Sequence, residues 1–194
     1  MIGKSGECGI VISIMKRILL NLILAFFCLF FLSVSEGFGF RIKKIVVRPY
    51  EGVLLVNLIY QDFPFQHLVL ALKEHKKPVF VNYEFKVYKK KFLFDRLVYQ
   101  ERYFQKLYYL WETNLYYFKD PFYITSFKSA EKAVLYIDPL ESYPLKWKEK
   151  VKKGYYLRVR VCITYYSHLT EELEYAGKTR KYTSCAESSY DFSQ

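Results

Sequence analysis

From Val79 to Lys89 the side chains alternate. Val79, Val81, Tyr83, Phe85 and Val87 share one parity, and Asn82, Glu84 and Lys86 share the other. Successive residues of a strand point to opposite faces, so this segment can bury one face and wet the other. That is the pattern of an antiparallel strand with one solvated side, not of a helix. The same period returns after Gly154, where Tyr155, Leu157, Val159, Val161 and Ile163 oppose Arg158, Arg160, Cys162 and Thr164. A chain with 20 tyrosines and 17 phenylalanines has enough ring surface to fill the space behind such a sheet.

The remaining segments fit around these two strands. Arg41 to Val47 is β-branched and stops at Pro49; Glu51-Gly52 is a turn, and Val53 to Asp62 returns as the second arm of a hairpin. Between Pro64 and His75 the period changes: Leu68, Ala71, Leu72 and His75 fall on one helical face, with Pro78 ending the element. Lys89-Lys90-Lys91 reads as a solvated bend, and Leu93 to Leu110 as one long strand with a bulge. Glu112-Thr113-Asn114 turns the chain into a strand at Leu115 to Phe118, which Lys119-Asp120-Pro121 breaks. Ser126 is expected to cap a second helix carrying Phe127, Ala130, Ala133, Val134 and Ile137, ended by Asp138-Pro139. Residues 141–153 read as a basic connector and Tyr182 to Phe192 as the last strand. The expected fold is mainly β, with about seven strands and two short helices, either an antiparallel β-sandwich or an α+β sheet backed by its helices.

The N-terminal 37 residues belong to a different solvent. Ile18 to Val34 carries no charge, Lys16 and Arg17 precede it, and Ser35 and Gly37 follow it with the small side chains a signal peptidase accepts. Its length is at the short end of the roughly 17–25 apolar residues a spanning helix needs. It is therefore read as one N-terminal hydrophobic helix, either a cleaved export signal or a retained transmembrane anchor. Residues 38–194 form a single β-rich extracytoplasmic domain that is periplasmic or tethered to the inner membrane. Cys28 is no lipidation site, because Leu29, Phe30 and Phe31 continue the apolar run past it. Met15 before Lys16-Arg17 is the more natural start of such a signal.

The order of these pieces carries a resemblance. A hairpin and a short helix come first, then Pro78-Val79-Phe80-Val81-Asn82-Tyr83-Glu84-Phe85 and Phe94-Asp95-Arg96. After them come Tyr108-Tyr109-Leu110, Asn114-Leu115-Tyr116-Tyr117, Ser126-Phe127-Lys128-Ser129-Ala130-Glu131-Lys132-Ala133 and Gly154-Tyr155-Tyr156-Leu157-Arg158-Val159-Arg160. Over roughly residues 40 to 192 this resembles the bacterial family called domain of unknown function 4390. The chain departs from that pattern in its richness in Lys and Tyr, and in Cys185 where an aromatic is expected. The resemblance implies an exported or anchored bacterial protein, encoded beside membrane sensor kinases in relatives, with no assigned activity and no catalytic residue to transfer.

Chemistry is sparse. Cys162 and Cys185 are the two cysteines of the exported part; in an oxidising envelope they either pair at the surface or remain two thiols. His67, His75 and His168 have no metal-ligand spacing, and no metal or cofactor is expected. There is no G-x-S-x-G turn, no G-x-G-x-x-G and no Walker loop, so no catalytic residue is assigned. The net charge of +11 concentrates in two places, Lys89, Lys90 and Lys91, and Lys146, Lys148, Lys150, Lys152 and Lys153. These lysines either solvate the protein or contact an anionic membrane surface. Export argues against nucleic acid as a partner. The function expected is that of a non-enzymatic envelope domain, tethered to the membrane by its N-terminal helix. It binds another envelope protein and is an accessory to a membrane sensor. The alternatives are a lipid- or glycan-binding carrier and a hydrolase without a recognisable motif.

Overall fold

The computed structural model describes residues 39–147, 153–168 and 179–193. The expected N-terminal hydrophobic helix lies outside them. No helix among the described residues is long and apolar enough to cross a membrane. The described residues form nine strands and two helices in the order β1 (Arg41–Tyr50), β2 (Val53–Gln61), α1 (Phe65–Lys73), β3 (Val79–Lys89), β4 (Arg96–Leu110), β5 (Leu115–Lys119), β6 (Ile124–Phe127), α2 (Ala130–Leu135), β7 (Leu140–Leu145), β8 (Tyr155–His168) and β9 (Thr179–Asp191). They build a three-stranded sheet of order β1-β2-β7 and a six-stranded sheet of order β6-β5-β4-β3-β8-β9. Every neighbouring pair is antiparallel.

The alternation of β3 and β8 is used as the period dictates. Val79, Val81, Tyr83, Phe85 and Val87 are buried, as are Leu157, Val159, Val161 and Ile163 beside them. Part of this inner face meets the three-stranded sheet: Phe85 stacks on Tyr143 of β7 at 4.8 Å, and the Tyr60 hydroxyl of β2 donates to that of Tyr83 at 3.4 Å. The helices pack on the rest. Leu68, Val69, Ala71 and Leu72 of α1 and Ala130, Ala133 and Val134 of α2 are buried, and the His67 ring lies 6.0 Å from that of Tyr165. The opposite face of the large sheet carries polar side chains such as Asn82, Glu84, Lys86 and Arg102, with Phe104 exposed among them. The β1–β2 turn places Glu51 at φ 44° and Gly52 at φ 82°. Two central residues with positive φ match the right-handed twist of a two-residue hairpin.

Three expectations are corrected. Ser126 does not cap a helix; it lies in β6, opposite Tyr117 of β5. The cap is Ser129, whose side chain accepts from the Lys132 amide, and three residues decide between strand and helix here because Ile124 and Thr125 favour the pleated ladder. Residues 141–153 are not one connector, because Leu140–Leu145 pairs with β2 as the third strand of the small sheet, at its edge. Its alternation is hidden by a register shift opposite Val56 and Leu58. There Ser142 takes φ 52° and its amide donates to Asn57 Oδ1 at 2.8 Å. Pro144 reads against a central strand but is tolerated on an edge. The long strand expected from Leu93 starts three residues later, at Arg96, and its bulge lies opposite Val87 and Tyr88.

Phe85 is fully buried where the two sheets meet. Phe85→Ala is expected to lower stability by about 3–5 kcal/mol, seen as a fall in the denaturant midpoint with an unchanged m-value.

Candidate functional site

The face of β4 turned toward the interior carries Tyr99, Glu101, Tyr103, Gln105 and Leu107. Two polar groups among these buried rings require partners, since a desolvated amide or carboxylate without them costs several kcal/mol (about 1–3 for a neutral group). Both have them. Tyr83 donates to Gln105 Oε1 at 2.9 Å, Gln105 Nε2 donates to the Tyr103 hydroxyl at 3.2 Å, and Tyr103 donates to Asp120 Oδ2 at 2.7 Å. With Tyr60 at its head, this is a one-way chain of donors running from the small sheet through the large one to the end of β5. Glu101 takes the Tyr143 hydroxyl on Oε1 at 2.7 Å, and the Tyr99 hydroxyl and Lys146 amide on Oε2.

Asp120 ends the chain at the floor of a surface cleft of about 520 Å³. Its Oδ1 accepts from the amides of Phe122 and Tyr123 at 2.7 and 2.8 Å, which turns the chain after Pro121 and raises both rings onto the rim. Tyr136, from the C-terminal end of α2, meets Tyr123 through their hydroxyls at 2.8 Å. Tyr143, Glu141 and Ser142 of β7 close the far side. Both oxygens of Asp120 are thus committed to fixed donors. They set the shape of the cleft, and neither oxygen of Asp120 is left without a donor.

Burial, and then the bond to Asp120, pushes the Tyr103 hydroxyl far above the ordinary phenol range. Burial and the Glu101 carboxylate do the same to Tyr143, and burial does so for Tyr60 and Tyr83. Asp138, half-buried before Pro139, is raised by desolvation. A phenol whose folded pKa is raised holds its proton after the unfolded chain has lost it, near pH 10. Stability from these groups is therefore full below that pH and falls as pH climbs above it. Tyrosinate absorbance of the folded protein is expected to lag that of the urea-unfolded chain above about pH 10, ending in cooperative alkaline unfolding. Superimposable titrations would contradict the network.

The lysines expected to act together do not all meet. Lys89, Lys90 and Lys91 are exposed at the β3–β4 bend, and exposed Lys153 adjoins Gly154, whose carbonyl accepts from the Lys90 amide at 2.7 Å. Lys146 instead reaches over the cleft rim, its ammonium 5.8 Å from the Phe122 ring. Lys148, Lys150 and Lys152 lie outside the described residues. On the polar face, Glu84 is bonded to Lys86 at 2.8 Å and to Arg102 at 3.3 Å, and its carboxyl is held below the usual range. Cys162 and Cys185 stand opposite each other in the β8–β9 ladder with Cα atoms 4.1 Å apart and their sulfurs bonded. Among the described residues no group of His, Cys, Asp and Glu could hold a metal ion.

Sequence reasoning passed over Glu101 and Asp120. Asp120 was read as a strand breaker. Glu101 had a signal, a carboxylate on the same parity as Tyr99, Tyr103 and Leu107, inside a strand too long to be trusted as strictly alternating. No family model, curated protein or solved structure matches this chain.

The two cysteines are 23 residues apart. Replacing both with serine, or adding reductant, is expected to cost about 3 kcal/mol in urea unfolding on the chain-entropy account. Identical midpoints with and without reductant would show two thiols instead.

Proposed function

We propose that the chain is an extracytoplasmic protein, tethered by its N-terminal apolar segment, whose β-sandwich domain is a non-catalytic docking module for another envelope protein. The observation that carries this reading is the rim of the cleft. Phe122 and Leu135 are 59% and 58% exposed, and Tyr123 and Tyr136 line the same cleft. A contiguous apolar patch of this kind, rimmed by polar groups, marks an interaction surface more often than a bare solvent face. Each such side chain covered by a partner contributes roughly 1.5–3 kcal/mol.

The rim borders β6, whose outer edge carries no neighbouring strand among the described residues. An extended segment of the partner would add main-chain hydrogen bonds along that edge while its apolar side chains enter the cleft. The saturated Asp120 supports a binding role over a hydrolytic one. The polar floor of Tyr103, Gln105 and Asp120 supports protein docking over lipid carriage, which is served by an enclosed apolar cavity.

A photo-crosslinking side chain at Leu135 is expected to give one discrete adduct with an envelope protein in intact membranes. Phe122→Asp should abolish that adduct without lowering the thermal midpoint, and a crosslinker at Tyr50, exposed at the β1–β2 turn, should not give it. An adduct indifferent to Phe122→Asp, or lipid adducts alone at Leu135, would contradict the proposal.

A further inference from the structure

The bend between β3 and β4 carries the most exposed large apolar side chains among the described residues. Phe92, Leu93 and Phe94 are 101%, 76% and 84% exposed, and they directly follow Lys89-Lys90-Lys91. The loop is not a frayed end. Asp95 accepts the Lys91 amide on Oδ1 and the Tyr156 hydroxyl on Oδ2, the latter at 2.9 Å. The Lys90 amide is tied to Gly154 O, and its ammonium pairs with Asp191. Three bonds from two neighbouring strands and one within the loop hold the neck, so the three apolar residues are presented outward by construction.

We infer that this hairpin tip inserts into an anionic phospholipid surface, with Phe92, Leu93 and Phe94 at the acyl-chain boundary and Lys89, Lys91 and Arg96 among the headgroup phosphates. Charge selects this occupant. Lys89 stands directly opposite Arg96 in the ladder, and like charges facing each other across a strand pair are unfavourable unless an anion lies between them. Lys91 adds a third cation, and Lys153 lies beside Gly154 at the same neck. Fully exposed phenylalanines next to lysines suit a bilayer, where apolar side chains sit below the headgroups and long cationic stems reach back up to them. Behind the cations, Tyr88 and Tyr156 stack at 5.2 Å with Arg158 5.0 Å from the Tyr88 ring, the aromatic level expected at a headgroup interface. This inference uses no residue of the cleft and does not rest on the docking proposed there.

The test places Phe94→Trp in the full-length protein in lipid nanodiscs and reads the added tryptophan's emission against the wild-type background of Trp111 and Trp147. In phosphatidylglycerol discs the added emission is expected to be blue-shifted and quenched by brominated acyl chains. In phosphatidylcholine discs, or with Lys89→Gln and Lys91→Gln added, the quenching is expected to be lost. Position 94 is already exposed, so the substitution leaves the fold intact. Emission in phosphatidylglycerol that remains open to aqueous iodide and untouched by bromine would overturn the inference, and a protein would then be the occupant of the tip. Equal quenching in both lipids would overturn the assignment to anionic headgroups.

Discussion

The bond from Tyr143 to Glu101, beneath the stacked rings of Tyr143 and Phe85, is where the two sheets become one structure. Each sheet is held internally by its own ladders, which say nothing about how it sits on the other. Packing of rings alone would leave that relation loosely specified, because hydrophobic attraction has no direction. A buried hydroxyl on one sheet and a half-buried carboxylate on the other remove the freedom. Sliding either sheet by one residue would strand both groups away from water.

The core mixes phenylalanine with tyrosine, and the tyrosines add polar handles to its rings. Tyr60, Tyr83, Tyr103 and Tyr143 are all buried, and every hydroxyl among them is engaged. The rings supply the area of an apolar core, and the hydroxyls string it together from β2 to Asp120. That string ends where the chain turns to present Phe122 and Tyr123. The exposed rim is therefore positioned by the interior, not by its own short segment. At the far strand of the large sheet the Cys162–Cys185 link plays a cruder version of the same part, holding β9 to β8 on the polar face.

Where the alternation is uninterrupted, residues alone identify the strand, and β3 begins and ends where its period does. β7 was hidden because Ser142 breaks the parity and Pro144 speaks against a strand; the pairing with β2 that overrides both is made with residues more than 80 positions earlier. β6 was absorbed into a helix because one serine is as good a cap as another until the neighbouring strand is known. The carboxylates that shape the cleft were illegible for a related reason. Glu101 meets Tyr143 across 42 positions and Asp120 meets Tyr103 across 17, so no local pattern announces either pair. By contrast the lysines of the β3–β4 bend were conspicuous, but their meaning came only with the three exposed side chains beside them.

If the seam between the sheets is what fixes the rest, Tyr143 and Glu101 must be energetically coupled and not merely adjacent. A double-mutant cycle of Tyr143→Phe and Glu101→Gln, read by urea unfolding, measures that coupling free of the separate costs of each change. The account predicts an interaction energy of about 1–3 kcal/mol, as for a hydrogen bond to a charged group. Additive effects, with no coupling beyond error, would mean that the sheets are held by ring packing alone and that the carboxylate is incidental.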